Sequence, residues 1–108
     1  MDTYQCINIE QAVALIEDGA TIVDIRDPQS FEAGHIQNAS RLSNENLHSF
    51  IAEADMDQPV IVCCYHGHSS QSAAQLLITQ GFDQVYSLDG GYQLWQANKP
   101  EMCSAPQT

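Results

Sequence analysis

Short apolar runs alternate with amphipathic stretches along almost the whole chain. The runs that predict strands are residues 5–9, 21–25, 39–42, 59–63 and 84–88. The stretches whose apolar positions recur at helical spacing are residues 10–18, 28–34, 44–54, 71–80 and 91–97. Strands that alternate with helices over such short intervals predict an α/β fold, in which helices cover both faces of a mainly parallel sheet.

The ends of these predicted helices carry residues that favour helix starts and stops. Asp27, followed by Pro28, is a predicted N-cap, and so is Ser43 before the third helix. Gly19 and Gly81 follow the first and fourth helices, where glycine commonly ends a helix. The sequence therefore predicts the boundaries of these helices as well as their presence.

The loop between the fourth strand and the fourth helix reads Cys-Tyr-His-Gly-His-Ser-Ser over residues 64–70. At such a turn the amides of the loop and of the first helical turn lack intrahelical partners, so they can converge on one anionic group. No residue after Cys64 in this loop is proline, and Gly67 lets the backbone curl. The residues predicted to form a cradle of backbone amides around the sulfur are Tyr65, His66, Gly67, His68, Ser69 and Ser70.

Cys64 is the predicted nucleophile of this loop. Aligned amide dipoles favour a thiolate, and cysteines at helix N-termini can have their pKa lowered to about 3.5 to 7.5. A buried structural cysteine is the alternative, because free cysteine is among the most buried residue types. The position of Cys64 favours a catalytic role over a structural one, since open parallel sheets bind ligands at the carboxyl ends of their strands.

The composition limits the kinds of partner. With 108 residues the chain is long enough for a core of its own, and we expect residues 1–108 to form a single domain with a loose tail from about residue 100. The formal net charge of -11 repels phosphate backbones and anionic lipids, so neither nucleic acid nor membrane binding is expected. An anionic substrate must therefore find its attraction locally, in amides and histidines.

The cysteine pattern and the N-terminus indicate a compartment. No signal peptide is recognisable, and no apolar run approaches the about 20 residues that span a bilayer. The four cysteines, without C-x-x-C spacing or a paired framework, are typical of free thiols in a reducing compartment. We therefore expect a cytoplasmic protein. No cofactor is expected, and the protein is expected to be either a monomer or a weak homodimer.

Four segments, in this order along the chain, resemble a rhodanese domain. They are Val23-Asp24-Ile25-Arg26-Asp27-Pro28, Gly34-His35-Ile36 within residues 31–39, the Cys64 loop, and Asp89-Gly90-Gly91 with Trp95. The match covers almost the whole chain, and the short single domain with its Cys-Tyr-His-Gly start to the loop is similar to the bacterial GlpE type of the family. The resemblance implies a rhodanese-like fold, with a five-stranded mainly parallel sheet and helices on both faces.

The resemblance also implies an activity, that of a thiosulfate sulfurtransferase. Cys64 would take a sulfane sulfur from thiosulfate, become a persulfide, and pass the sulfur to cyanide or to a thiol acceptor such as a dithiol or thioredoxin. The loop has no basic residue beside the nucleophile, only His66 and His68, so thiosulfate is expected to bind weakly. Ser30 stands where relatives commonly have an acidic residue, which removes that partner for an ion pair with Arg26.

Two other functions compete with this interpretation. Cysteine-dependent phosphatases and arsenate reductases use a similar cradle of the form Cys-x5-Arg, whose arginine binds two oxygens and stabilises the charged transition state. The sixth position after Cys64 is Ser70, which cannot do this. A persulfide carrier or partner-binding rhodanese module stays an alternative, because the acceptor leaves no mark in the sequence.

The side chains next to Cys64 have predicted supporting roles. His66 and His68 are expected to line the pocket, where protonation would strengthen anion binding; histidine titrates near about 6.5 when unperturbed. A metal site made of Cys64 and the two histidines would require the loop to open, so no metal is expected. Adjacent residues of a strand point to opposite faces, so Cys63 and Cys64 point away from each other. We therefore expect Cys63 to pack in the core instead of acting as a resolving thiol.

Residues of the other rhodanese-like segments are expected to be structural. His35 is predicted to hydrogen-bond backbone near the second strand. Asp24 and Arg26 are predicted to organise the loops beside the active site. Tyr92 and Trp95 form either an apolar wall of the pocket or part of the core.

Overall fold

The computed structural model describes residues 3–105, which form a parallel sheet between two layers of helices. The strands are β1 (Gln5–Ile7), β2 (Thr21–Asp24), β3 (His35–Ile36), β4 (Ser40–Arg41), β5 (Val60–Cys63), β6 (Val85–Leu88) and β7 (Cys103–Ser104). The helices are α1 (Ile9–Glu17), α2 (Pro28–Ala33), α3 (Leu47–Glu53), α4 (Ser69–Thr79) and α5 (Gly91–Asn98), followed by a 3₁₀ turn at Pro100–Met102.

The main sheet has five strands in the order β1-β6-β5-β2-β4, and every neighbouring pair is parallel. This confirms the predicted α/β fold with a five-stranded parallel sheet. The central strand β5 is buried along its whole length, as expected for a strand covered on both sides. Its alternate residues divide the core: Ile61 and Cys63 face α1 and α5, whereas Val60 and Val62 face α3 and α4.

Two predicted helix starts had different outcomes. Asp27 caps α2 as predicted, because its carboxylate accepts a hydrogen bond from the Ser30 amide at 3.0 Å. The prediction that Ser43 caps α3 is wrong, because Asn46 is the residue before the helix. The Asn46 side chain accepts a hydrogen bond from the Ser43 amide at 2.7 Å and donates one to the Arg41 carbonyl at 2.8 Å. These bonds hold the connection in a turn, so the helix begins later.

The C-terminal segment is ordered where a loose tail was expected. Pro100–Met102 form a 3₁₀ turn, and Cys103–Ser104 pair antiparallel with His35–Ile36 in a second, two-stranded sheet. Met102 also accepts a hydrogen bond at its carbonyl from the Gln37 amide at 2.8 Å. Backbone pairing therefore replaces the expected loose tail over residues 100–104, while residues 106–108 lie outside the described chain.

Parallel pairing brings the predicted functional segments to one edge of the sheet. Asp24 at the end of β2 lies in register with Cys63 at the end of β5. The segment that contains Arg26 therefore lies beside the loop that begins at Cys64. Within residues 3–105, no helix has both the length and the apolar composition needed to cross a membrane.

Candidate active site

The Cys64 loop is fixed in shape by its neighbours on the sheet edge. Two amides in the first turn of α5, those of Tyr92 and Gln93, donate hydrogen bonds to the carbonyls of Cys64 and Tyr65 at 2.7 and 3.1 Å. Gly67 has φ of 91°, a left-handed conformation that favours glycine. A Cβ atom at Gly67 would also lie 2.8 Å from the Gly90 nitrogen, so a side chain has no room there.

The sulfur of Cys64 lies inside this loop and accepts hydrogen bonds from its backbone. The Gly67 amide is 3.1 Å from Sγ and the Ser70 amide is 3.3 Å away. The Ser70 hydroxyl is 3.2 Å from the same sulfur. The predicted cradle is therefore built by Gly67 and Ser70 around the resting sulfur, and the contribution of the Tyr65, His68 and Ser69 amides stays a prediction.

These hydrogen bonds alter the acidity of the thiol. Burial disfavours a thiolate, because Cys64 is only 4% exposed. The Ser70 hydroxyl and the amides of Ser70, Gly67 and His66 outweigh that effect, so the pKa of Cys64 is lowered. A thiolate stabilised by hydrogen-bond donors in this way is suited to attack an electrophilic sulfur.

A second serine, which the sequence analysis did not identify, lies behind the first. The Ser87 hydroxyl on β6 is 2.7 Å from the Ser70 hydroxyl, and neither residue is exposed. The only sequence signal for Ser87 is a small polar residue in an otherwise apolar strand. A buried hydroxyl in that position requires a hydrogen-bond partner, and Ser70 is that partner.

Asp24 and Arg26 form a buried ion pair beside the loop. The Arg26 Nη2 atom is 2.7 Å from Asp24 Oδ2 and 2.6 Å from the Gly34 carbonyl oxygen. Burial disfavours the charged guanidinium, but the hydrogen bonds and charge of Asp24 raise the pKa of Arg26. The guanidinium also lies 4.2 Å from the centre of the Tyr92 ring. Asp24 balances the charge of Arg26, and the guanidinium contacts the Gly34 carbonyl and the Tyr92 ring. These contacts agree with the predicted role of the pair in organising the loops.

Ser30 connects α2 to the Cys64 loop. Its hydroxyl is 2.7 Å from the Tyr65 hydroxyl and also donates to Asp27 Oδ1 at 2.7 Å. Ser30 therefore makes a neutral hydrogen bond with Tyr65 while it donates to the carboxylate of Asp27. This contact connects α2 to Tyr65, the residue that directly follows Cys64.

A cavity of about 490 Å³ opens between α2, the Cys64 loop and α5. Its lining residues are Arg26, Asp27, Gln29, Ser30, Ala33, Gly34, Tyr65, His66, Tyr92, Gln93 and Gln96. His66 therefore lines the cavity as predicted, whereas His68 is exposed outside it. Cys64 does not line this space, but the next two residues do. The charged side chains of this lining are Arg26, which is paired with Asp24, and the exposed carboxylate of Asp27.

The other conspicuous residues have structural positions. Cys63 packs in the core on the face opposite Val62, and burial raises its pKa well above that of an ordinary thiol. Trp95 is fully buried in the same cluster, which makes it a core residue. His35 Nδ1 lies 2.8 Å from the Phe31 carbonyl oxygen, so it contacts backbone as predicted, but the partner lies in α2 and not at the second strand. Among residues 3–105, no three His, Cys, Asp or Glu side chains are grouped as a metal site would require.

Comparisons with known proteins agree with this arrangement. The model of the rhodanese-like domain matches residues 8–98. The thiosulfate sulfurtransferase GlpE of Ectopseudomonas mendocina is 56% identical over 100 residues, which cover 93% of this chain and 92% of that protein. The protein of the same name from Pseudomonas aeruginosa is 57% identical over 99 residues, which cover 92% of this chain and 90% of that protein.

Solved structures share the fold. The rhodanese-related protein from Thermoplasma volcanium is 27% identical, with a TM-score of 0.75 over 89% of this chain and 94% of that one. A rhodanese-like domain from Anabaena is 24% identical, with a TM-score of 0.80 over 94% of this chain and 79% of that one. The family match, the high identity to two curated proteins and the common fold lead to one conclusion: the chain belongs to the rhodanese-like domain family.

Proposed function

We propose that this protein is a thiosulfate sulfurtransferase that works through a persulfide on Cys64. The observation that carries the proposal is a thiol with a lowered pKa, held by the Gly67 and Ser70 amides at the carboxyl edge of the sheet. The sequence identity of 56% and 57% to two proteins named thiosulfate sulfurtransferase supports the same activity. Cys64 is the nucleophile in this proposal, and residues 1–108 act as a single rhodanese domain.

The first half of the cycle loads sulfur onto the protein. The Cys64 thiolate attacks the outer, sulfane sulfur of thiosulfate and forms a new S–S bond. The bond between the two sulfurs of thiosulfate breaks, and sulfite leaves with its electron pair. The outer sulfur of the resulting persulfide carries the negative charge, and the loop amides, including those of Tyr65, His68 and Ser69, are available to stabilise it.

The second half of the cycle unloads the sulfur. Cyanide attacks the outer sulfur of the persulfide, the S–S bond breaks, and the electron pair returns to Cys64 as thiocyanate is released. A thiolate acceptor takes the same sulfur and becomes a persulfide itself. In a dithiol such as thioredoxin, the second thiol can then displace hydrosulfide and close a disulfide. Cys64 is regenerated in each case, so the kinetics should be of the ping-pong type.

The electrostatics indicate a weak complex with the anionic donor. The chain has a formal net charge of -11, and Asp24 neutralises the one arginine that lines the cavity. Thiosulfate is therefore attracted mainly by backbone amides and by His66 when it is protonated. We expect a high KM for thiosulfate, with specificity set by the sulfur chemistry and not by charge.

The phosphatase alternative has less support from the site. Ser70 lies at the sixth position after Cys64 and directs its hydroxyl to the sulfur, where a phosphatase would need an arginine for the oxyanion. Arg26 is already bonded to Asp24 and to the Gly34 carbonyl, so it is not free to bind an oxyanion.

Four free thiols among the described residues suit a reducing compartment, so we propose a cytoplasmic protein.

Intact mass spectrometry tests the proposed cycle. The wild-type protein and a Cys64→Ser variant are incubated briefly with thiosulfate and then with cyanide. We expect the wild type alone to gain one sulfur, and cyanide to remove it with release of thiocyanate. A Cys63→Ser variant is the matched control, and it should load sulfur like the wild type.

Two other outcomes would decide against parts of the proposal. Loading of the Cys64→Ser variant would place the persulfide on another cysteine. If the wild type gains no sulfur from thiosulfate but accepts one from a small-molecule persulfide, the protein is a persulfide carrier. The proposed donor would then be wrong, while the assigned nucleophile would be retained.

A further inference from the structure

The hydroxyl of Ser87 is buried, and the sulfur-transfer steps above do not use it. It lies 2.7 Å from the Ser70 hydroxyl, which in turn lies 3.2 Å from the Cys64 sulfur. Three side chains, from the loop after β5, from α4 and from β6, thus form one continuous hydrogen-bonded chain. Ser70 and Ser87 are both 0% exposed, so bulk water does not compete for these hydroxyl groups.

The position of Ser87 on its strand explains how it reaches Ser70. Val85 and Ser87 lie two residues apart, so their side chains point to the same face of β6. Val85 packs in the cluster that α4 covers, together with Leu77 of that helix. Ser87 therefore lies under the first turn of α4, which contains Ser70. Apolar strand residues surround it in sequence, and only the contact with Ser70 gives its hydroxyl a side-chain partner among those described.

The number of available protons determines the direction of this chain. A serine hydroxyl has one proton to donate and two lone pairs to accept with. When Cys64 is a thiolate, the sulfur can only accept, so Ser70 must direct its proton at the sulfur. The Ser70 oxygen is then free to accept the proton of Ser87. When Cys64 is a thiol, its S–H can donate to Ser70, and the Ser70 proton can turn to Ser87.

We propose that Ser87 is a positioning residue for the reaction, whose hydroxyl donates to Ser70 and so directs the Ser70 hydroxyl at the Cys64 thiolate. The proposal rests on the proposed role of Cys64 as nucleophile. Hydrogen bonds in a chain polarise one another, so the bond from Ser70 to sulfur is stronger when Ser87 donates to Ser70. Loss of the Ser87 hydroxyl removes this support without removing any direct contact to the sulfur.

Alkylation of Cys64 by iodoacetamide tests the proposal without any sulfur donor. The rate is measured for the Cys64 peptide by mass spectrometry over the pH range in which the thiol ionises. With Ser87→Ala, we expect the rate on the acidic side of the profile to fall about threefold, the effect of one hydrogen bond of modest net strength. The plateau at high pH should stay the same, because the ionised sulfur remains equally accessible.

A double variant shows whether Ser87 acts through Ser70. Ser70→Ala alone should lower the acidic-side rate about tenfold, because it removes a hydrogen bond to a charged group. Adding Ser87→Ala to Ser70→Ala should change the rate no further. If Ser87→Ala leaves the wild-type profile in place, or has its full effect without the Ser70 hydroxyl, the proposal is overturned.

A packing control separates the hydroxyl from the volume of the side chain. Val85→Ala removes buried methyl groups on the same face of β6 and should leave the pH profile of Cys64 unchanged. An equal shift with Val85→Ala would show that loosened packing moves the profile and would also overturn the proposal. The titratable side chains on the adjoining segments, Cys63, Tyr65, His66, His68, Asp89 and Tyr92, are retained in every variant. Failure of sulfur loading from thiosulfate would contradict the proposed donor but would leave these alkylation profiles unaffected.

Discussion

Cys64 owes its acidity to neutral groups. The sulfur has no arginine or lysine among its hydrogen-bond partners in the described chain; Gly67 and Ser70 supply those bonds. Amide and hydroxyl dipoles fixed at about 3 Å act at short range and are already oriented, so they stabilise a thiolate in a buried site. These neutral groups add no positive charge that would attract an anionic substrate. The sulfur can therefore be reactive even though thiosulfate binds weakly.

Replacement of Gly67 should disable this cradle. In Gly67→Ala the new Cβ would lie 2.8 Å from the Gly90 nitrogen, at a residue whose φ of 91° already disfavours a side chain. We expect a loss of about 1–3 kcal/mol of unfolding free energy and a strong loss of sulfurtransferase activity, because the loop must shift. Urea unfolding and steady-state assays measure the two effects.

Gly81→Ala is the matched control for Gly67→Ala. Gly81 also has a positive φ, 110°, but a Cβ there would meet nothing within 4 Å. Its backbone strain should lower stability while the activity per folded molecule stays near the wild-type value. Equal activity of the two alanine variants would show that the close approach of Gly67 to Gly90 does not hold the cradle.

Cys64 also makes the stability of the fold depend on pH. Its pKa in the folded protein lies below the ordinary value of 9.0. The thiolate therefore stabilises the fold fully above pH 9.0, and this contribution is lost as the pH falls through the folded pKa. We expect the unfolding free energy of the wild type, relative to Cys64→Ser, to increase with pH across that interval.

Urea unfolding of both proteins at a series of pH values measures this difference. Cys63 has a raised pKa, which contributes stability below the ordinary thiol pKa and loses it as the pH rises. Because Cys63 is present in both proteins and burial is the main cause of its raised pKa, most of its opposite contribution cancels in the comparison. A difference that stays constant with pH would mean that the folded protein does not favour the Cys64 thiolate.

The elements around the site are joined by one buried ion pair. Arg26 follows β2, pairs with Asp24 at the end of that strand, and donates to the Gly34 carbonyl at the end of α2. It also stacks on Tyr92 of α5 at 4.2 Å. A single guanidinium thus connects β2, α2 and α5 on the side where the cavity opens. Its main effect is on the shape of the cavity wall.

Asp24→Asn should weaken this connection severely. The substitution leaves the Arg26 guanidinium buried without a counter-charge, which typically costs about 3–5 kcal/mol. Urea unfolding should show this loss, and iodoacetamide should still modify Cys64 in the molecules that remain folded. Asp27→Asn is the matched control, because asparagine also caps helices and Asp27 is exposed, so stability should change little. Equal stability of both variants would contradict the proposed role of the pair.

The sequence predicted the elements whose signals are local. The buried run of β5, the glycine in the Cys64 loop and the Asp-Pro start of α2 each have one clear physical reading, and each was found. The strands β3 and β7 have two residues each, too few for any periodicity, and they form through pairing between distant segments. The start of α3 was missed because the Asn46 side chain competes with Ser43 for the same turn.

The hydroxyl chain behind the sulfur was missed for a different reason. Ser87 is brought to Ser70 only by the register of β6 against β5, where Ser87 lies opposite Val62. A serine in a strand has no motif of its own, so its partner depends on the three-dimensional arrangement. The family resemblance singled out Cys64 and its loop, but the contact between Ser87 and Ser70 is apparent only in the three-dimensional structure.

The charge of the whole molecule opposes its proposed substrate. The net charge is -11, and the basic residues are Arg26, Arg41 and Lys99. Asp24 neutralises the first, and the second donates to the Arg26 carbonyl at 3.2 Å. A dianion that approaches the site therefore experiences long-range repulsion, which the loop amides offset at short range. This arrangement favours neutral or cationic acceptors over anionic ones at the encounter step.

Added salt should therefore increase the activity with thiosulfate. The Debye length falls from about 30 Å at 0.01 M to about 8 Å at 0.15 M ionic strength, so salt screens the repulsion between thiosulfate and the acidic surface. We expect kcat/KM for thiosulfate to rise over this range, the opposite of the trend for an enzyme that attracts its substrate. The modification of Cys64 by two alkylating agents provides the control. Iodoacetate, an anion, should react faster as salt is added, whereas neutral iodoacetamide should not. A fall of kcat/KM with salt would show that a local attraction for the donor outweighs the net charge.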